Sequence, residues 1–102
     1  MAIKSIIMNL KELHESSKTV SAKPLFHCTD ENALSLQILK GEELKEHITK
    51  KPALLLCIEG SAMFSSINGV EIQIGPGEMV NIAANLKHKV QGLEDSQLIL
   101  LR

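Results

Sequence analysis

Apolar and polar positions alternate along most of the second two thirds of this chain. Leu34, Leu36 and Ile38 are interleaved with Ser35, Gln37 and Leu39, the period of two that predicts a half-buried strand. Lys40-Gly41-Glu42-Glu43 reads as a turn, and a strand carrying His47 follows it. Lys50-Lys51-Pro52 ends that strand, because proline cannot donate a ladder hydrogen bond. The continuous apolar run Ala-Leu-Leu-Leu-Cys-Ile over residues 53–58, closed by Glu59 and Gly60, predicts a strand buried on both faces. Residues 61–67 and 70–74 flank Asn68-Gly69, which predicts a hairpin with a type I′ turn and positive φ at both central positions. Gly75-Pro76-Gly77-Glu78 is a further tight turn. Short strands are expected over 79–82, 88–91 and 97–101, with a loop over 83–87 and a turn over 92–96.

Seven or eight short strands separated by turn residues predict an all-β sandwich or small barrel. The whole chain, 1–102, reads as one domain, with 1–24 an N-terminal strand or irregular arm and 25–102 the barrel core. Within the arm, Asn9 heads the polar segment 9–18, which reads either as one or two helical turns capped by Asn9 or as an irregular loop. His14 lies in this segment and is expected on the surface. An all-β chain must also manage its exposed edges, and pairing with a second copy is one route. The apolar run from Ile3 to Met8 is a candidate for part of that contact.

Composition narrows the classes. Hydrophobic residues make up 44% of the chain, which favours a packed globule over disorder. Eleven basic residues against twelve acidic ones, mixed along the sequence, give no electrostatic footprint for nucleic acid. No apolar stretch approaches the ~20 residues of a membrane span, and the short N-terminal run has no cleavage-site pattern behind it. A soluble, cytoplasmic protein is expected. Cys28 and Cys57 are not in a CxxC pair, so zinc-ribbon and thioredoxin spacings are absent; both have apolar neighbours and are expected as buried, reduced thiols. With two Phe and neither Tyr nor Trp, flat stacking surfaces for sugars and bases are scarce.

The spacing of glycines and histidines resembles the two-motif signature of the cupin family. The first motif of that family runs glycine, five residues, His-x-His, three or four residues, glutamate, six residues, glycine. Here Gly41 is followed by His47, Thr49 stands at the second histidine, Ala53 at the glutamate and Gly60 at the closing glycine. The second motif runs glycine, five residues, Pro-x-Gly, two residues, histidine, three residues, asparagine. Here Gly77 is followed by Ala83 at the proline, Asn85 at the glycine, His88 at the histidine and Gly92 at the asparagine. Asn85 is a tolerable stand-in for glycine because asparagine enters the left-handed region more readily than most residues. The resemblance spans about three quarters of the chain and implies a cupin-type double-stranded β-helix, a jelly-roll barrel, with a homodimer as the expected assembly.

The family's usual metal site is incomplete in this sequence. Of four customary ligands, His47 and His88 remain, while Thr49 and Ala53 replace a histidine and a carboxylate. A catalytic zinc generally has three protein ligands, and non-haem iron of the oxygenase kind uses two histidines and a carboxylate. The available substitutes are Cys57, Glu59, Glu46 and His27, with Cys57 the more interesting because thiolate with imidazole suits zinc or copper. If His47 points inward, strand alternation places Thr49 inward and Glu46 outward, and puts Ala53, Leu55, Cys57 and Glu59 on one face. Met63 and Met79 fit core or cavity lining, and Lys87 and Lys89 point away from His88.

Two function classes follow. The first is a barrel that binds an unidentified small molecule, using His47, Thr49, His88, Cys57 and Met63, without a complete metal site. The alternative is a metal-dependent enzyme of dioxygenase, isomerase or lyase type with an altered ligand set around His47 and His88. It would hold one divalent transition metal (zinc, iron, manganese, nickel or copper). A third reading is a regulatory or structural protein whose barrel is filled by its own side chains. The sequence defines no nucleophilic triad and no phosphate loop, since Gly75-Pro76-Gly77 leads into no helix.

Overall fold

A computed structural model of the chain describes residues 9–25 and 33–102, and the side chains of all of these except Glu46 and His47. Phe26, His27 and Cys28 therefore lie outside the described residues, as does the apolar run ending at Met8. Nine strands are described: β1 (Val20–Pro24), β2 (Ala33–Ile38), β3 (Glu43–His47), β4 (Ala53–Glu59), β5 (Ala62–Ser66), β6 (Glu71–Ile74), β7 (Met79–Ile82), β8 (His88–Gly92) and β9 (Ser96–Leu101). They form two antiparallel sheets, a five-stranded one in the order β1-β2-β9-β4-β7 and a four-stranded one in the order β3-β8-β5-β6. The strand rhythm predicts an all-β sandwich or small barrel, and its two-sheet jelly-roll form is the one that the cupin resemblance implies.

The inner faces carry the core. Leu36 and Ile38 from β2, Leu55 and Cys57 from β4, Val80 and Ile82 from β7, and Leu98 and Leu100 from β9 meet Ala62, Phe64, Ile74 and Val90 of the other sheet. Each belongs to the apolar phase of an alternating strand, so burial follows directly from the period of two. Strand β4 departs from the expectation of two buried faces. Leu54 and Leu56 are half-buried, and Ile58 and Glu59 are exposed. A register shift between Cys57 and Glu59 sets Cys57 opposite Leu98 and Glu59 opposite Gln97. This bulge inserts one extra residue and breaks the alternation there. Glu59 consequently leaves the face of Ala53, Leu55 and Cys57 and pairs with Lys11 at 2.8 Å on the outside.

The turns are set by residues in the left-handed region. Gly41, Gly60, Gly77 and Asn85, the four positions that carry glycine in the motif comparison, have φ of 83°, 89°, 85° and 63°. At Gly75-Pro76-Gly77-Glu78 proline occupies the second position and a positive-φ glycine the third, a type II turn closed by Glu78 N–H donating to Gly75 O at 3.0 Å. The Asn68-Gly69 hairpin differs from the expected type I′ form. Gly69 has φ 91°, but Asn85 is the only non-glycine residue with positive φ among those described, so Asn68 is not left-handed. Gly69 N–H donates to Ser66 O at 3.1 Å and Ser66 N–H to Val70 O at 2.9 Å, the pattern of a type I turn followed by a left-handed glycine bulge. The Ser66 hydroxyl donates to the Asn68 side-chain oxygen, which favours this longer loop.

Ahead of β1, Asn9 caps a single 3-10 turn, Leu10–Leu13, accepting from Lys11 N–H at 2.9 Å. The segment is then fixed to the outer face of the five-stranded sheet. His14 is half-buried there rather than on the surface: Nδ1 is 2.8 Å from Ser21 Oγ and Nε2 is 2.9 Å from Ser35 Oγ. Both serines are buried. Beside them Gln97 Nε2 donates to Gln37 Oε1 at 2.7 Å, and Gln37 Nε2 donates to the Lys18 carbonyl at 3.3 Å. Because a carbonyl can only accept, this chain fixes both amide orientations and leaves Gln97 Oε1 a buried acceptor with no donor among the described residues.

Candidate functional site

The two motif histidines fall on adjacent strands of the four-stranded sheet. β3 and β8 pair antiparallel, and the register sets His47 directly opposite His88. A shift between Leu44 and His47 produces this register. His88 is 2% exposed and sits on the inner face of β8 with Val90 and Gly92. Its ring lies 5.5 Å from that of Phe64, tilted by 30°. Nδ1 is 2.8 Å from the Leu86 carbonyl, which can only accept, so Nδ1 carries a proton and donates it there. That bond orients the imidazole within the wall of the barrel.

The other residues that the motif suggests are dispersed. Thr49 lies beyond the end of β3, so strand alternation does not carry it inward with His47. Its hydroxyl donates to Lys51 O at 3.0 Å, and its carbonyl accepts from Asn85 N–H at 2.7 Å, so it ties two loops together. Ala53 is buried core. Cys57 is fully buried near the Gly60 corner, with Sγ 3.6 Å from Glu59 O and 3.8 Å from Gly60 O. Burial pushes its thiol up, with the Glu59 backbone contact opposing and Glu78 adding to the rise. A thiol held in this way is a poor source of thiolate. Met63 stands between Ala62 and Phe64, both buried, and alternation puts it on the opposite face of β5 from them. Met79, expected in core or cavity lining, is 53% exposed. Lys87 and Lys89 are both exposed, and Lys89 lies 3.7 Å from Glu43.

The donors needed for a metal are therefore not assembled by the described residues. No group of three His, Cys, Asp or Glu side chains among them is placed to hold an ion. Thr49 and Cys57 direct their polar atoms to backbone carbonyls, and Glu59 is drawn outside by the bulge. Thr49, Cys57 and Glu59 therefore do not fit a metal site.

What the fold does leave open is a cleft between the sheets. It has a volume of about 540 Å³ and lies between β1, β2 and β9 on one side and β3 on the other. Val20, Ala22, Leu34, Leu36, Leu44 and Leu100 form its wall, and Glu43, Lys45 and Arg102 complete the lining. β1 and β3 are the end strands of their respective sheets, so the gap between them is not bridged by backbone pairing. The volume falls in the range of small-molecule sites. Leu44 faces Val90 across the β3–β8 pair, and the same pair continues to His47 and His88. The cleft thus runs along β3, the strand that carries His47, and β3 is paired with β8, which carries His88. None of Val20, Ala22, Leu44 or Leu100 is marked by the motif, because a cavity depends on which strands form the ends of the sheets.

No family model matches the sequence, and no curated protein matches it. Solved structures do match its shape. A conserved protein of unknown function from Streptococcus pyogenes superposes with a TM-score of 0.75 at 16% identity, over 92% of this chain and 82% of that one. A cupin-superfamily protein from Desulfitobacterium hafniense gives a TM-score of 0.71 at 18% identity, over 99% of this chain and 87% of that one. The cupin domain of Drosophila melanogaster CENP-C gives 0.70 at 13% identity, over 81% of this chain and 74% of that one. The chain has the cupin fold. At such identities the likeness defines architecture and leaves activity to the site itself. No helix among the described residues is long and apolar enough to cross a membrane.

Proposed function

We propose that this chain is a small-molecule-binding barrel that receives an apolar ligand in the cleft between β1–β2 and β3. The observation that carries this reading is the 540 Å³ cleft with six aliphatic side chains in its wall. A cavity of this size with an aliphatic wall favours apolar occupants, because each buried CH₂ contributes about 0.8 kcal/mol. The register of His47 with His88 supports a polar anchor further along the same strand pair, with His88 Nδ1 donating to Leu86 O. In this reading Thr49, Cys57 and Met63 shape the barrel without contacting the ligand.

Titration with a neutral, environment-sensitive dye such as Nile red tests the reading. Saturable, one-to-one fluorescence enhancement is expected. Ala22→Trp should abolish it, because Ala22 is an exposed residue of an end strand whose enlargement fills the cleft without entering the core. Enhancement that survives this substitution, in a protein whose melting is unchanged, removes the cleft as the binding site.

A further inference from the structure

The polar groups that line the cleft are of one kind. Its wall is aliphatic, and each remaining lining residue, Glu43, Lys45 and Arg102, ends in a full charge. No hydroxyl, amide or aromatic side chain lines it among the described residues. A ligand body rich in hydroxyls or amides would lose hydrogen bonds to water and regain none on the wall, at a cost for every unpaired group. The described lining therefore disfavours sugars, nucleosides and peptides as the buried portion. Among the described residues it also presents no aromatic face on which a planar ring could stack. What remains is an aliphatic body with one polar end at the rim.

The sign of that end follows from the rim. Arg102 brings a guanidinium to the cleft and Glu43 a carboxylate. Glu43 Oε1 also lies 3.7 Å from Lys89 Nζ, on the neighbouring strand β8, so its charge is shared with that second cation. Arginine is suited to take a carboxylate through two parallel N–H donors. We propose that the ligand is an aliphatic carboxylic acid, its chain against the leucine wall and its carboxylate at the rim beside Arg102. This assignment rests on the binding reading above and adds the chemical class.

Calorimetric titration of the full chain with decanoate and with decanol, in parallel, separates the two. The expected result is one-site binding of decanoate, with decanol weaker by about tenfold, the size of one charge-assisted contact. Arg102→Gln should reduce decanoate binding to the level of decanol and leave decanol unchanged, and raised salt should act in the same direction. Ala22→Trp should remove both. Equal binding of acid and alcohol, both lost in Ala22→Trp, overturns the acid assignment while the apolar cleft stands. Binding of neither, or binding that Ala22→Trp leaves intact, overturns the cleft reading and the acid assignment together.

Discussion

Two ends of the same barrel are built on opposite terms. At the corner where β4, β5, β8 and β9 meet, there is no free space. A Cβ added to Gly60 would stand 2.3 Å from the Asp95 carbonyl and 2.6 Å from Ser96 Oγ, and one added to Gly92 would stand 2.5 Å from the Leu39 carbonyl. Gly92 also exchanges backbone bonds with the β2–β3 corner, donating to Glu42 O and accepting from Gly41 N–H, each at 2.8 Å. The buried Ser96 hydroxyl accepts from Ser61 N–H at 3.0 Å and lies 2.9 Å from Ser61 O and 2.8 Å from Glu94 O. Lys40 N–H is capped by Asp95 at 2.8 Å. The cleft along β1 and β3 is walled mainly by aliphatic side chains, of which Val20, Leu34 and Leu44 are half-buried, and it has a volume of about 540 Å³. The corner fixes how the sheets are joined, and the cleft is what that joint leaves ajar. Leu36 and Leu100 belong to both the core and the cleft wall, but no corner residue lines the cleft, so substitutions at the corner and at Ala22 or Arg102 should be nearly independent.

The sharpest way to break this contrast is to compare two glycines with the same backbone twist. Gly60 and Gly41 have φ of 89° and 83°, yet a Cβ on Gly41 meets nothing within 4 Å. Gly41→Ala should cost about 1 kcal/mol, the strain of a left-handed alanine. Gly60→Ala adds backbone overlap and should cost roughly 4 kcal/mol or prevent folding. Urea unfolding of both variants measures the difference, and equal losses would show that the corner is not tightly closed. A smaller effect is expected at Ser96→Ala. It leaves Ser61 N–H without its acceptor and should cost roughly 1–3 kcal/mol without altering ligand binding in the cleft.

The smallest effect concerns the outer face. Burial lowers the affinity of His14 for a proton, and the positive charge of Lys23 lowers it further. The unfolded chain therefore binds the proton more readily than the folded one. The stability from neutral His14 is present above its ordinary value of 6.5 and is lost as pH falls through that value toward the lower folded one. Melting temperature should drop between pH 7 and pH 5 by more in the native chain than in His14→Gln. Parallel curves for the two proteins would show that the Ser21–His14–Ser35 contacts do not depend on the neutral ring.

Much of the architecture is legible in the residues, and the exceptions have physical causes. Strands β4, β5, β7 and β8 follow the period of two because one face of each is buried, whereas β2 and β9 bury residues of both faces, and the four left-handed motif positions are where the chain must reverse. β1 is harder to see, since Lys23 and Pro24 interrupt its pattern and an end strand needs less burial. The bulge at Glu59 is invisible to periodicity, and it changes which face that carboxylate serves. His14 looks like a surface residue because its partners, Ser21 and Ser35, come from strands later in the chain. For the site, the motif pairs His47 with His88 on neighbouring strands but misplaces Thr49, which lies past the strand end. The cleft itself has no local signature, because it arises from the end-strand positions of β1 and β3.

The division between a closed corner and a receptive cleft is tested most directly by amide chemical-shift mapping during titration with decanoate. Saturable shifts should appear at Ala22, Leu36 and Leu44 and be absent at Gly60, Ser61 and Ser96. Shifts centred on the corner, or spread evenly over both ends, would contradict the account.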